Sequence, residues 1–157
     1  MFNFKKKRNR GFEPIIRTMK KNQQGAIMPL RGSANAIAYD IYSPIDITIQ
    51  PLTSEMIWTD IKAYFNDNEA LIINVRSSMG KHPVMLSNTQ GWIESDYYDN
   101  EDNNGNIGIK LYNLNTTEPY VIKRGDRIAQ AMFIPFLVSD NCNSSQIRKG
   151  GFGSTGK

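Results

Sequence analysis

With one cysteine, Cys142, and one histidine, His82, the chain has little of what most metal and nucleophile sites are built from. A lone thiol excludes an internal disulfide framework and fits a reducing, cytoplasmic setting. One of each residue cannot make a Cys/His zinc site. His82 precedes Pro83 in a polar loop and reads as a solvated side chain, which argues against a Ser-His triad. Hydrophobic residues make up only 39% of the 157 positions, and no apolar run approaches the roughly 20 residues of a transmembrane helix. No membrane partner is therefore expected. Nor does an apolar stretch follow the basic N-terminus with Lys5, Lys6, Lys7, Arg8 and Arg10, so it is not a secretory signal. Residues 1–10 read as a solvated arm rather than a nucleic-acid tail. The net charge of +4 still favours an anionic partner.

Helical periodicity is also scarce. Ile45-Asp46-Ile47-Thr48-Ile49-Gln50 alternates apolar and polar residues, as do Ile107, Ile109 and Leu111 against Gly108, Lys110 and Tyr112. Met56 to Thr59, Ala70 to Val75 and Arg127 to Ile134 are further strand candidates, separated by turn clusters such as Asn66-Asp67-Asn68 and Lys123-Arg124-Gly125-Asp126. Many short strands in one domain of this length predict an all-β sandwich or barrel. Only Ser77 to Leu86 offers a helical turn or two, and Asn88 to Tyr97 reads as a hairpin with acids on one side.

What the chain does have is a glycine-rich tail, Gly150-Gly151-Phe152-Gly153-Ser154-Thr155-Gly156-Lys157. Gly151 to Lys157 matches the opening of a P-loop but lacks the Ser/Thr and phosphate-facing helix that must follow. As a flap, its glycines let backbone N–H groups approach phosphates, Ser154 and Thr155 add hydroxyls, and Phe152 offers a flat face for a base. A mobile polar terminus is the other reading of such composition. Four more segments carry polar groups that a β-protein does not need for folding. These are Tyr39-Asp40-Ile41, Arg76-Ser77-Ser78, Asn88-x-x-Gly91-x-Ile93-Glu94-x-Asp96-Tyr97 and Gly125-Asp126-Arg127-Ile128-Ala129-Gln130. A guanidinium plus hydroxyls at the end of an apolar strand is phosphate chemistry.

In this order, with Arg148-x-Gly150-Gly151-Phe152-Gly153-Ser154-Thr155-Gly156 as the fifth, the motifs resemble those of the trimeric deoxyuridine triphosphatase (dUTPase) family over residues 11–157. The Tyr97 to Ile107 stretch resembles its bacterial or phage branch. The resemblance implies a β jelly roll (β-clip-like) at residues 11–147. Residues 148–157 would form a flap that reaches a neighbouring subunit of a homotrimer. It implies hydrolysis of dUTP to dUMP and pyrophosphate, with water attacking the α-phosphorus and Mg²⁺ sharing neutralisation of the triphosphate.

By the same resemblance, Asp40 would hold Mg²⁺ through a water. Arg76, Ser77, Ser78 and Gln130 would grip the phosphates, and Arg148, Gly153, Ser154 and Thr155 would close over them. Asn88 would read the uracil edge within the turn that contains Gly91 and Ile93. Tyr97 would pack under the sugar and exclude a 2′-hydroxyl, while Phe152 would stack on the base. Glu94 stands where the family places an aspartate base. The extra methylene displaces the carboxylate, yet glutamate remains a competent base. Asp96, two residues on, is expected on the same strand face and matches the family's structural acid. A related deaminase reading fails because Lys110 occupies the position of its catalytic glutamate. The alternative is a dUTPase-like nucleotide-sensing regulator with weak catalysis, which in a phage would act on a regulatory protein partner.

Overall fold

The computed structural model describes residues 8–142 and 144. Among them lie twelve strands and three single 3-10 turns, with no α-helix. The strands are β1 (Gly11–Pro14), β2 (Leu30–Arg31), β3 (Tyr39–Tyr42), β4 (Ile47–Ile49), β5 (Ser54–Trp58) and β6 (Ile61–Tyr64). They continue with β7 (Glu69–Asn74), β8 (Val84–Leu86), β9 (Gly91–Ile93), β10 (Gly108–Asn113), β11 (Tyr120–Ile122) and β12 (Arg127–Pro135). All pairings are antiparallel. A five-stranded sheet runs β2-β3-β12-β7-β9, and a three-stranded sheet runs β5-β10-β8. Two-stranded ribbons, β1-β6 and β11-β4, complete the jelly roll.

Alternation decides which side chains turn inward. On β10, Ile109 and Leu111 are buried while Lys110 between them is exposed. Ile41, Ile49, Ile57, Ile61, Leu71, Ile122 and Ile128 join them in one core, each at most 2% exposed. Burying one such side chain stabilises the fold by about 2 kcal/mol. Asn113, at the end of the same β10 face, is also buried. Its amide donates to the carbonyls of Ile49 (3.0 Å) and Glu118 (2.9 Å), so the core tolerates it.

Three expectations are corrected. Asn88 to Tyr97 is not a hairpin: β8 pairs with β10 and β9 pairs with β7, in different sheets. Residues 87–90 instead cross between the sheets, and the long-range partners win over the sequence neighbour. Asp96 does not share a strand face with Glu94. The strand ends at Ile93, and Ser95–Tyr97 is a 3-10 turn. The helical turn expected in Ser77 to Leu86 is present as a 3-10 turn at Ser77–Lys81, and only its extent is corrected, because the strand β8 takes the rest.

Arg8 and Arg10, placed by sequence in a solvated arm, stay exposed but each finds a carboxylate. Arg8 pairs with Glu13 and lies 3.9 Å above the Tyr64 ring. Arg10 pairs with Glu69, its Nε donating at 3.1 Å. Glu13 also accepts from the Tyr98 hydroxyl at 2.6 Å. That bond and Arg8 hold the Glu13 carboxyl below its ordinary pKa. Burial, then the same bond, pushes the Tyr98 phenol up to about 12.

Candidate active site

Asp40, Gln130 and Asn74 sit directly opposite one another on β3, β12 and β7. Opposed residues of antiparallel strands share a face, so the three form one polar row across the sheet. Gln90, from the crossover, extends it by donating to Asn74 Oδ1 at 2.9 Å. The row lies on the face away from the core, because the neighbours Ile41, Ala129, Ala131 and Ile73 point inward.

Arginines close over one end of this row. Arg76, just beyond β7, donates from Nε to Asp40 Oδ1 at 2.7 Å and from Nη1 to Ser78 Oγ at 3.1 Å. Arg127, at the start of β12, donates from Nη1 to Asp40 Oδ2 at 3.5 Å. Gln130 donates to the Val75 carbonyl at 3.3 Å, which ties β12 to the chain entering Arg76. Asp40 keeps only 11% of its side-chain surface, whereas Arg127 keeps 49%. The carboxylate therefore fixes both guanidiniums while their outer N–H groups remain available to an anion. Gly125, at φ +88°, makes the turn that delivers Arg127 to the strand. Ser77 is exposed beside Ser78.

The other sequence-predicted residues gather across the sheet. A cavity of about 260 Å³ is lined by Ile73, Leu86, Asn88, Gly91, Gly108 and Ile109, with Lys110 at its wall. Gly91 faces Ile73, and a Cβ there would come within 3.1 Å of Ile73 Cβ, so only glycine keeps this wall flat. Ser87 N–H donates to the Lys110 carbonyl at 2.9 Å, which anchors the crossover. The Asn88 side chain is exposed, and its carbonyl accepts from Gln90 N–H at 2.7 Å. Ile73 faces the cavity while its neighbour Asn74 faces the polar row. One chain thus puts its guanidinium site and its cavity on opposite faces of one sheet.

Glu94 follows β9 with extended backbone, φ −89° and ψ 160°, and is exposed, as is Asp96 in the turn after it. Tyr97 closes that turn and is buried, 6% exposed. Its hydroxyl donates to the Asn106 carbonyl and accepts from Asn103 Nδ2, both at 2.8 Å. Arg148, Phe152, Gly153, Ser154 and Thr155 lie outside the described residues. Among the described residues, no three His, Cys, Asp or Glu side chains converge as a metal cluster.

Sequence reading missed Arg127 as the second partner of Asp40, and it gave Asn74 and Gln90 no place in the polar row. The strand-entry position of Arg127 was visible, but its neighbour depends on β3–β12 register, which no local pattern encodes.

Fold and site together define an all-β jelly-roll protein with two arginines paired on one buried carboxylate and a cavity across the sheet from them. The dUTPase family model matches residues 24–156. The deoxyuridine 5′-triphosphate nucleotidohydrolase of Lactococcus lactis is 39% identical over 150 residues, covering 94% of this chain and 97% of that protein. The protein of the same name from Nautilia profundicola is 32% identical over 145 residues, covering 88% and 97%. Among solved structures, the dUTPase of Streptococcus mutans superposes with a TM-score of 0.73 at 32% identity, over 83% of this chain and 99% of that one. The chain belongs to the dUTPase family.

Proposed function

We propose that this chain hydrolyses dUTP to dUMP and pyrophosphate as a homotrimer that uses Mg²⁺. The observation that carries the reading is the row Asp40–Gln130 with Arg76, Ser78 and Arg127 around it, in a chain whose relatives bear that activity in their names. A triphosphate carries about four negative charges, and preorganised guanidinium and hydroxyl donors stabilise them without reorganising. Arg76, Ser77, Ser78 and Gln130 bind the phosphates on this face, and Arg148, Gly153, Ser154 and Thr155 of the flap exclude water above them. Asn88 reads the uracil edge at the cavity whose wall Gly91 shapes, with Ile93 two residues further along β9, and Phe152 stacks on the ring. Glu94 accepts the proton of the attacking water.

The donor set at Asp40 fits Mg²⁺. Each carboxylate oxygen takes one guanidinium and retains lone-pair capacity for a metal-bound water, the hydrated mode this hard cation prefers. Bound there, Mg²⁺ would supply charge neutralisation to the phosphates. The opposed faces of the guanidinium row and the cavity support a shared site, since one nucleotide cannot lie against both faces of a sheet. Phosphate-side and base-side residues then come from different copies.

Pyrophosphate release from dUTP with Mg²⁺, measured against dCTP, dTTP and UTP, tests the activity. Turnover of dUTP well above the other three is expected. Sedimentation of a trimer is expected from the same preparation, and a fully active monomer would overturn the shared site. Tight dUTP binding with negligible turnover would favour the nucleotide-sensing regulator.

A further inference from the structure

Residues 98–106 fold back on Tyr97 more closely than a surface loop needs to. Three asparagines hold that one tyrosine at both ends. Asn103 Nδ2 donates to the Tyr97 hydroxyl, and that hydroxyl donates to the Asn106 carbonyl, both at 2.8 Å. Asn100 Nδ2 donates to the Tyr97 carbonyl at 2.8 Å and to Asn103 Oδ1 at 2.9 Å. The Asn100 oxygen in turn accepts from the N–H groups of Asp102 and Asn103, both at 3.0 Å. Gly105 N–H donates to Asn103 Oδ1 at 3.0 Å, and a Cβ at Gly105 would lie 2.9 Å from the Tyr97 carbonyl oxygen. The loop is bolted below as well, because Asn106 Nδ2 donates to the buried Asp60 carboxylate at 3.0 Å.

The phenol thereby both donates and accepts within the loop. Rotating the ring about χ1 would break two bonds in a buried setting and leave their partners unsatisfied. We infer that Asn100 and Asn103 are positioning residues that lock the Tyr97 ring and thereby set discrimination between deoxyribose and ribose nucleotides. The inference rests on the proposed dUTP hydrolysis and on the placement of Tyr97 under the sugar that the family resemblance implies. Apolar surfaces reject an added hydroxyl weakly, by on the order of 10²-fold, when nothing blocks it sterically. A ring fixed at its hydroxyl and its backbone cannot yield, so a 2′-oxygen meets a hard surface.

Two readouts test this. The ratio of kcat/KM for dUTP to that for UTP is compared in the wild type, Asn103→Ala, Tyr97→Phe and the double variant. Each single change is expected to lower the ratio about tenfold, mainly by improving UTP. The double variant is expected to fall no further than Tyr97→Phe, since Asn103 acts through the phenol oxygen. A loop that is scaffolding alone would lower Tm in Asn103→Ala and leave the ratio untouched, and that result overturns the inference. Should Asn103→Ala fail to fold, Tyr97→Phe alone decides, because it leaves the Asn100–Asn103 bond in place. The relative affinity for dUDP and UDP, measured by calorimetry, gives the same comparison without turnover. A wild type that prefers dUDP but does not hydrolyse dUTP would refute the activity and leave the lock standing. Equal affinity for the two diphosphates would refute the lock itself.

Discussion

Glu94 stands where the family resemblance implies an aspartate, and the structure shows what an exchange between the two asks of the backbone. The extended conformation there, φ −89° and ψ 160°, suits aspartate as well as glutamate, so exchanging them introduces no strain. Glu94→Gln keeps the shape but removes proton acceptance, and kcat is expected to fall by about 10² or more, with dUDP affinity retained. Glu94→Asp shortens the arm by one rotor and is expected to raise kcat several-fold, since a shorter side chain holds its carboxylate with less lost entropy. Steady-state kinetics on both variants check this. Unchanged turnover in both would transfer the base to another group. Asp40, Arg76, Ser78 and Gln130, which the structure brings together, were legible because polar types such as Arg-Ser-Ser serve no packing purpose beside apolar strands. Arg127 was legible only as a strand entry, because its contact with Asp40 spans a difference of 87 positions.

Among the elements, β4 and β10 were readable from alternation with their flanking residues, and β12 from its long run of strand formers. The strands β6, β8 and β11 hold three or four residues each and carry no period to read. The false hairpin at Asn88 to Tyr97 has the same origin, since turn residues between apolar segments say nothing about which distant strand each will join. The first strand, β1, depends on two carboxylates and one phenol whose titration gives it a pH signature. Glu13 is depressed by Tyr98 and Arg8, and Glu69 by Arg10. A depressed carboxyl contributes stability above its unfolded value of 4.5 and loses it as pH falls through the folded value. Tyr98, raised to about 12, works in the other direction. Its contribution is complete below the ordinary phenol value of 10.0 and disappears as pH climbs through about 12. Thermal melts across pH are expected to show a plateau with both limbs falling. Glu13→Gln should flatten the acid limb, and an unaltered acid limb would mean that β1 is held by packing alone.

For the whole molecule, fold class was legible and sheet assignment was not, because composition and alternation are local while register is not. The middle strand of the five-stranded sheet, β12, has β3 on one side and β7 on the other, and the core beneath it. It also carries Gln130 and Arg127. Strands so placed exchange their amide hydrogens only when the entire domain opens, whereas edge elements open locally at far lower free energy. Two of the groups proposed to face the phosphates therefore belong to the last part of the chain to come apart. Catalytic decay on heating should then track global melting rather than precede it, so that residual activity and far-UV ellipticity fall along one curve. Deuterium uptake should be slowest at residues 128–134, and an enzyme that lost activity well below its melting midpoint would place the weak point in the flap or between subunits instead.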